Sequence, residues 1–160
     1  MLRSVTFLLL LIVNGSFLPE QDLKTFPQLY FKENSAILNS PFPQYNSEFG
    51  FSDFKDSLEA FTFVIQKFKK YPKMKLQIQG YVDFMEKDPM KLTEQRVKKV
   101  RACLMSQGID STQLPMVWDR YSILLNSKEE IQSKCKGEKT CVEKCHQENR
   151  RVFFSVKSLK

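Results

Sequence analysis

The sequence predicts an α+β fold in which helices cover a mixed β-sheet. Segments with strand character alternate with segments of helical periodicity in the order β-α-β-α-β-α-β, without internal repeats. The chain has 160 residues, of which 42% are hydrophobic, so it has the length of one domain and enough apolar side chains for a core. A chain of this size folds without needing a metal ion or a disulfide.

The first residues have the pattern of a secretory signal peptide. Arg3 precedes an apolar stretch from Val5 to Val13, and small residues suited to cleavage follow at 14–16. The stretch is shorter than the ~20 residues that a membrane-spanning helix needs. We therefore expect residues 1–16 to be removed and the mature chain to be exported without a transmembrane segment. An uncleaved N-terminal membrane anchor is the alternative.

The first half of the domain alternates strand, helix and strand. Residues 29–31 and 36–38 form a short β-like start, and the Pro-, Asn- and Ser-rich residues 39–51 form a loop. From Ser52, apolar residues recur at helical spacings of three and four: Phe54, Leu58, Phe61, Ile65 and Phe68. Tyr71-Pro72 ends this helix, and alternating apolar and polar residues from Lys75 to Tyr81 predict a strand.

The second half continues the alternation. Asp88-Pro89 predicts a helix start, with Asp as the cap and Pro in the first turn. Gly108 predicts the end of that helix. We expect a third strand, a short helix and a last strand at residues 116–121, 139–149 and 151–156.

Cysteine pairs are expected to be disulfides, because an exported chain folds in an oxidising compartment. Cys135 and Cys141 flank a short polar loop that a bridge could close, which would stabilise the fold by roughly 2–3 kcal/mol. A zinc site of Cys135, Cys141, Cys145 and His146 is the alternative, although its spacings miss the usual pattern. Cys103 is expected to be a small buried hydrophobe, and the sequence does not decide whether it pairs with Cys145.

The net charge and the single histidine narrow the classes of function. The charge of +7 favours anionic partners, but export and the absence of a recognised nucleic-acid-binding module argue against nucleic acid. His146 is the single histidine, so a multi-histidine metal centre is impossible and a catalytic triad would depend on it. No Gly-x-Ser-x-Gly motif is present, and Asp83 and Glu86 on one loop make a poor glycosidase pair. We expect no enzyme, no metal and no cofactor.

Three motifs occur in order on the expected elements. They are Gly80-Tyr81-Val82-Asp83, the run Leu92-Thr93-Glu94-Gln95-Arg96-Val97 leading to Gly108-Ile109, and Asn149-Arg150-Arg151-Val152. Together they resemble the OmpA-like C-terminal domain, a peptidoglycan-binding module of bacterial envelopes. The resemblance covers about residues 29–157, with a lead-in at 17–28 and a tail at 158–160. The cysteine spacing and His146 look like a disulfide-bearing branch of the family, which supports the Cys135–Cys141 bridge over zinc.

The resemblance implies non-covalent binding of peptidoglycan through the diaminopimelate residue of its stem peptide. By position, Asp83 matches the family's ammonium-binding Asp, and Arg96 matches its carboxylate-binding Arg, which can donate two parallel hydrogen bonds. Arg96 falls on the flank of an apolar helical stripe, from which its head could reach a groove. Asn149 and Arg150 are expected second-tier contacts, with structural roles as the alternative. The resemblance places the chain in the periplasm or at the outer membrane and cell wall, with envelope proteins as further partners.

The sequence departs from the family pattern next to the expected site. Tyr81-Val82 replaces a polar His-Thr pair, and the loop at 84–91 looks shorter and lacks the usual Gly. Pro89 and Val97 also replace the usual Asn and Ala. Glu86 is a candidate second carboxylate toward the ammonium group, with a solvated loop charge as its ordinary interpretation. An OmpA-like domain that lost its ligand and serves as a protein-interaction module is therefore the alternative function.

Overall fold

The computed structural model describes residues 26–38, 56–118 and 124–159. The expected signal peptide at 1–16, most of the lead-in at 17–28 and the loop at 39–51 lie outside these ranges. Within the ranges, no helix combines the length and apolar character that crossing a bilayer requires.

One mixed sheet organises the described residues. Its strands are β1 (Leu29–Tyr30), β2 (Lys75–Gly80), β3 (Met116–Val117) and β4 (Arg151–Ser158). The spatial order is β1-β4-β2-β3, with β4 antiparallel to both its neighbours and β2 parallel to β3. The sheet and the helices that accompany it confirm the predicted α+β class. The expected third strand is shorter than predicted, and residues 119–121 of it lie outside the described ranges.

Four α-helices lie in the described ranges: α1 (Ser57–Lys70), α2 (Pro89–Met105), α3 (Lys128–Cys135) and α4 (Lys139–Asn149). The bounds of α4 are those that the sequence predicts, and Tyr71 ends α1 as expected. In α2, Pro89 occupies the first turn, but the prediction that Asp88 caps the helix is wrong. Asp88 has a left-handed backbone with φ of 49°, and its side chain makes no capping hydrogen bond.

The helix α3 was not expected from periodicity, because it is short and buries few side chains. The sequence feature that marks the start of α3 is a capping box. The Ser127 hydroxyl accepts a hydrogen bond from the Glu130 backbone N–H at 3.2 Å, and the Glu130 carboxylate accepts one from the Ser127 N–H at 2.7 Å. This Ser-x-x-Glu pattern is readable in the sequence and marks the start of the helix.

The main core lies between the sheet and helices α1 and α2. It contains Val64 and Phe68 of α1, Val97 and Leu104 of α2, and strand residues that include Leu29, Leu76, Ile78, Val152 and Phe154. A second, smaller cluster of Ile131, Cys135 and Cys145 joins α3 to α4. The expected functional residues lie just after β2, near the middle of α2 and at the end of α4.

Candidate functional site

Asp83 follows the end of β2 and is 1% exposed. One carboxylate oxygen accepts a hydrogen bond from the Met85 backbone N–H at 2.9 Å, and the other accepts one from Asn149 Nδ2 at 2.8 Å. His146 Nδ1 lies 3.0 Å from both oxygens. A buried carboxylate with this many donors is held in one orientation. The structure therefore brings together Asp83 and Asn149, as the motifs predict, and adds His146.

Asn149 is the last residue of α4 and is completely buried. Its Oδ1 accepts hydrogen bonds from the backbone N–H groups of Leu125 and Asn126 at 2.9 and 3.0 Å. Its Nδ2 donates to Asp83 and to the Asn126 carbonyl oxygen at 2.8 Å. The amide thus fixes the 125–126 segment and the Asp83 carboxylate at once, which is the structural role named as the alternative.

His146, named in the sequence only as a candidate zinc ligand and family marker, lies beside Asp83 instead. It lies one helical turn before Asn149 on α4, so both side chains lie on the same face. That spacing is the signal that could have found it. The imidazole is partly accessible, with 17% of its side chain exposed, and its ring centroid lies 5.2 Å from that of Phe84. The imidazole thus lies between the Phe84 ring and the Asp83 carboxylate.

Arg96 projects from α2 and is completely buried. Its Nε donates to the Ser35 carbonyl oxygen, and its two terminal nitrogens donate to the carbonyl oxygens of Lys32 and Tyr81, at 3.0 to 3.3 Å. The same two nitrogens donate to the Glu86 carboxylate at 2.5 and 2.8 Å. The guanidinium therefore uses all five of its N–H donors within the chain. The expectation that its head reaches an open groove is not met.

Burial has an electrostatic consequence for this guanidinium. It lowers the pKa of Arg96 below its ordinary value, and the hydrogen bond and charge of Glu86 act in the opposite direction. The Phe31 ring lies 5.1 Å from the guanidinium carbon and covers one face of it. Glu86 is the acidic partner that makes the buried cation tolerable.

Glu86 has neither of the roles that the sequence suggested. Its side chain is completely buried, so it is not a solvated loop charge, and it faces a guanidinium rather than an ammonium site. Besides two hydrogen bonds from Arg96, its carboxylate accepts one from the Asn34 backbone N–H at 2.9 Å and one from the Asp83 backbone N–H at 3.0 Å. Asn34 reaches this position with a left-handed backbone, at φ of 48°.

Arg150 does not contact Asp83 through a hydrogen bond. It is buried directly after α4, and its guanidinium donates to Glu143 of that helix. Arg151, the first residue of β4, lies over the Tyr81 ring, with its guanidinium carbon 4.2 Å from the ring centroid. The Tyr81 hydroxyl donates to Gln79 Oε1 at 3.0 Å. Tyr81, which departs from the family pattern, thus packs the end of β2 against the start of β4 beside the site.

The cysteines form the expected bridge. Cys135 and Cys141 are joined by a disulfide, with their Cα atoms 5.4 Å apart. Cys103 and Cys145 are free thiols, so the Cys103–Cys145 bridge is not formed. The sulfur of Cys145 lies 3.8 Å from that of Cys135. The Cys3His interpretation does not fit, because two of its sulfurs are bonded and His146 Nδ1 is bound to Asp83.

Comparisons with known proteins identify the fold. No protein-family model and no curated protein sequence matches the chain. Among solved structures, the peptidoglycan-associated lipoprotein from Burkholderia pseudomallei superposes with a TM-score of 0.54 at 16% identity, covering 82% of this chain and 90% of that one. The periplasmic domain of Helicobacter pylori MotB gives 0.53 at 16% identity, with 81% and 69% covered.

The OmpA-like domain of FopA1 from Francisella tularensis gives a TM-score of 0.50 at 16% identity, covering 83% of this chain and 72% of that one. At this identity the three likenesses establish architecture alone. The candidate site here has two parts: the Asp83 carboxylate with His146 beside it, and the buried ion pair of Arg96 and Glu86. The Asp83 backbone N–H joins the two parts by donating a hydrogen bond to Glu86.

Proposed function

From its OmpA-like fold, we propose that the chain binds peptidoglycan non-covalently in the bacterial envelope and catalyses no reaction. The supporting observation is that Asp83 and Arg96 belong to one buried network. The fold that carries these two residues is shared with the peptidoglycan-associated lipoprotein from Burkholderia pseudomallei. The likeness to a periplasmic MotB domain supports a periplasmic or envelope location.

In the finer form of this proposal, the ligand is the diaminopimelate residue of the stem peptide. Its ammonium group would bind Asp83, beside His146. Its carboxylate would bind Arg96 through two parallel hydrogen bonds. Glu86 holds those two donors in the present structure, so binding requires Glu86 to withdraw.

Co-sedimentation with purified peptidoglycan tests the proposal. The mature protein, Asp83→Asn and the control Glu94→Gln are mixed with sacculi at ~0.05 M and ~0.5 M NaCl, because high salt screens nonspecific charge attraction. Glu94 is a surface residue paired with Lys98, so its loss leaves the site intact. We expect wild type and the control to pellet at both salt concentrations, and Asp83→Asn to stay mostly in the supernatant.

Two results would contradict peptidoglycan binding at this site. One is a folded wild-type protein that remains in the supernatant at both salt concentrations. The other is equal pelleting of all three proteins at low salt and of none at high salt, which would leave the basic surface as the cause of pelleting.

A second candidate function is a protein-interaction module that keeps the fold without the ligand. The observation that favours it is the complete use of the Arg96 donors within the chain. The first of the two contradicting results, obtained with circular dichroism showing a folded protein, would make this candidate the better account.

A further inference from the structure

Four hydrogen-bond donors converge on the carboxylate of Glu86. Two come from the Arg96 guanidinium and two from the backbone N–H groups of Asn34 and Asp83. None of them belongs to Glu86 itself. The four donors therefore form a receptor for one carboxylate group.

The Arg96 part of the receptor is held by contacts that do not involve Glu86. Three carbonyl oxygens, of Lys32, Ser35 and Tyr81, hold the other Arg96 donors, and Phe31 covers one face of the guanidinium. Because an arginine keeps its charge at neutral pH, this buried position requires an anion there. Removing the Glu86 side chain would therefore leave the Arg96 charge buried without an anion to neutralise it.

Glu86 reaches the receptor from a short exposed loop. Its neighbours Phe84 and Met85 are 39% and 65% exposed, and the loop begins at Asp83, which is itself a residue of the proposed ligand site. A side chain carried on such a loop acts as a tethered ligand with a high effective concentration.

We propose that Glu86 is a built-in occupant of a carboxylate-binding site formed by Arg96, Asn34 and Asp83, and that this site accepts an external carboxylate when Glu86 is removed or displaced. The inference rests on the proposed function in one respect: it makes displacement of Glu86 the step by which the carboxylate of a stem peptide reaches Arg96. The ligand class is a carboxylate on a small or amino-acid-like group.

Chemical rescue tests the site without peptidoglycan. Glu86→Ala removes a fragment with the same carbons and oxygens as acetate. Breaking this buried ion pair should lower the melting temperature by about 10 °C or more. We expect sodium acetate to restore a large part of that loss, while sodium chloride at equal ionic strength and acetamide do not. Glu94→Ala is the matched control, since it also removes a glutamate that pairs with a cation, and acetate should leave it unchanged.

A second variant covers the case in which Glu86→Ala does not fold in any buffer. Glu86→Gln keeps the size of the side chain but removes the charge that competes for Arg96. We expect it to bind free meso-diaminopimelate at least about tenfold more tightly than wild type, measured by NMR titration. For a folded Glu86→Ala, equal stabilisation by acetate, acetamide and chloride would overturn the inference. Where that variant does not fold, a Glu86→Gln affinity no greater than that of wild type would do so.

The two proposals fail in different ways. Acetate rescue together with a wild-type protein that does not pellet with sacculi would keep the carboxylate site and reject peptidoglycan as its ligand. Pelleting that depends on Asp83, without acetate rescue, would keep the proposed function and reject Glu86 as a displaceable occupant.

Discussion

At the scale of single residues, burial controls the reactivity of the free thiol of Cys145. Cys145 is 1% exposed, although its sulfur lies 3.8 Å from a disulfide sulfur. Burial raises the pKa of this thiol, and the nearby Lys134 and Lys144 only partly oppose that effect. Since the thiolate is the reactive form, the thiol beside the bridge is protected from reaction.

Alkylation of the native protein checks this protection. At pH ~8, we expect iodoacetamide to modify Cys103 and to modify Cys145 more than about tenfold more slowly, because Cys145 has less thiolate and must first be exposed. Mass spectrometry of the digested protein gives both rates. In urea the two rates should converge, and equal rates in native buffer would contradict the prediction.

Sequence reasoning located part of the site at this scale. The order of the motifs brought Asp83 and Asn149 to one place, and the structure joins them by a hydrogen bond. It missed the roles of Glu86 and His146, because each depends on contacts across more than one element. The contact between Glu86 and the Asn34 backbone links residues 52 positions apart through a loop with no periodicity to read.

At the scale of elements, the packing of β2 against α2 sets the position of Arg96. A Cβ atom added at Gly80 would lie 2.5 Å from Thr93 Cγ2 and 2.6 Å from Val97 Cγ2. Both contacts are shorter than side chains tolerate, so the absence of a side chain at Gly80 allows the close approach of strand and helix. Arg96 lies between these two residues in the helix.

Gly80→Ala should therefore push α2 away from the sheet. We expect the free energy of unfolding to fall by about 1–3 kcal/mol, the usual range for overpacking, as measured by urea denaturation. Lys75→Ala, at the exposed end of the same strand, is the control and should change stability little. A stability of Gly80→Ala equal to that of wild type would show that the helix does not depend on this contact.

The elements were predictable where apolar spacing is strong. The apolar spacing of α1 and the alternation in β2 identified those elements, although Leu58 of the predicted α1 series is 75% exposed. The helix α3 escaped because only Ile131 and Cys135 of it are buried. The predicted cap at Asp88 was wrong because the backbone of this residue is left-handed and its side chain makes no capping hydrogen bond. The preference of Asp for the cap position does not reveal that backbone conformation.

At the scale of the whole molecule, β4 is one of the two inner strands of the sheet, and it connects the last part of the described chain to the first. It pairs with β1 near the start of the described chain and with β2 in the middle. Local periodicity predicted the class of this sheet but not the order of its strands, since pairing between distant segments leaves no short-range pattern. Tyr30 of β1 stands opposite Arg151 of β4.

The burial of Tyr30 predicts how global stability changes in alkali. Burial raises the pKa of Tyr30 to about 12 from 10.0, so the folded protein keeps a proton that the unfolded chain releases. The stabilisation from Tyr30 is complete below pH 10 and is lost as pH rises toward 12, a change of about 3 kcal/mol. Burial lowers the pKa of Arg151 to about 10, and this group contributes a slope of opposite sign.

Tyr30→Phe tests the tyrosine contribution. Urea denaturation between pH ~9 and ~11 should give a wild-type advantage over the variant that shrinks as pH rises above ~10. Curves that stay parallel across this range would show that Tyr30 does not titrate abnormally in the folded protein.

The buried pair of Glu86 and Arg96 also restricts how this sequence can evolve. Losing either partner alone strands a buried charge, at a cost of about 3–5 kcal/mol, whereas replacing both with well-packed apolar side chains can be nearly neutral. The viable mutational paths therefore lead through paired changes or through an external anion that takes over for the missing carboxylate. The effect of a mutation at one position should depend on the residue present at the other, so the two are expected to covary among homologues.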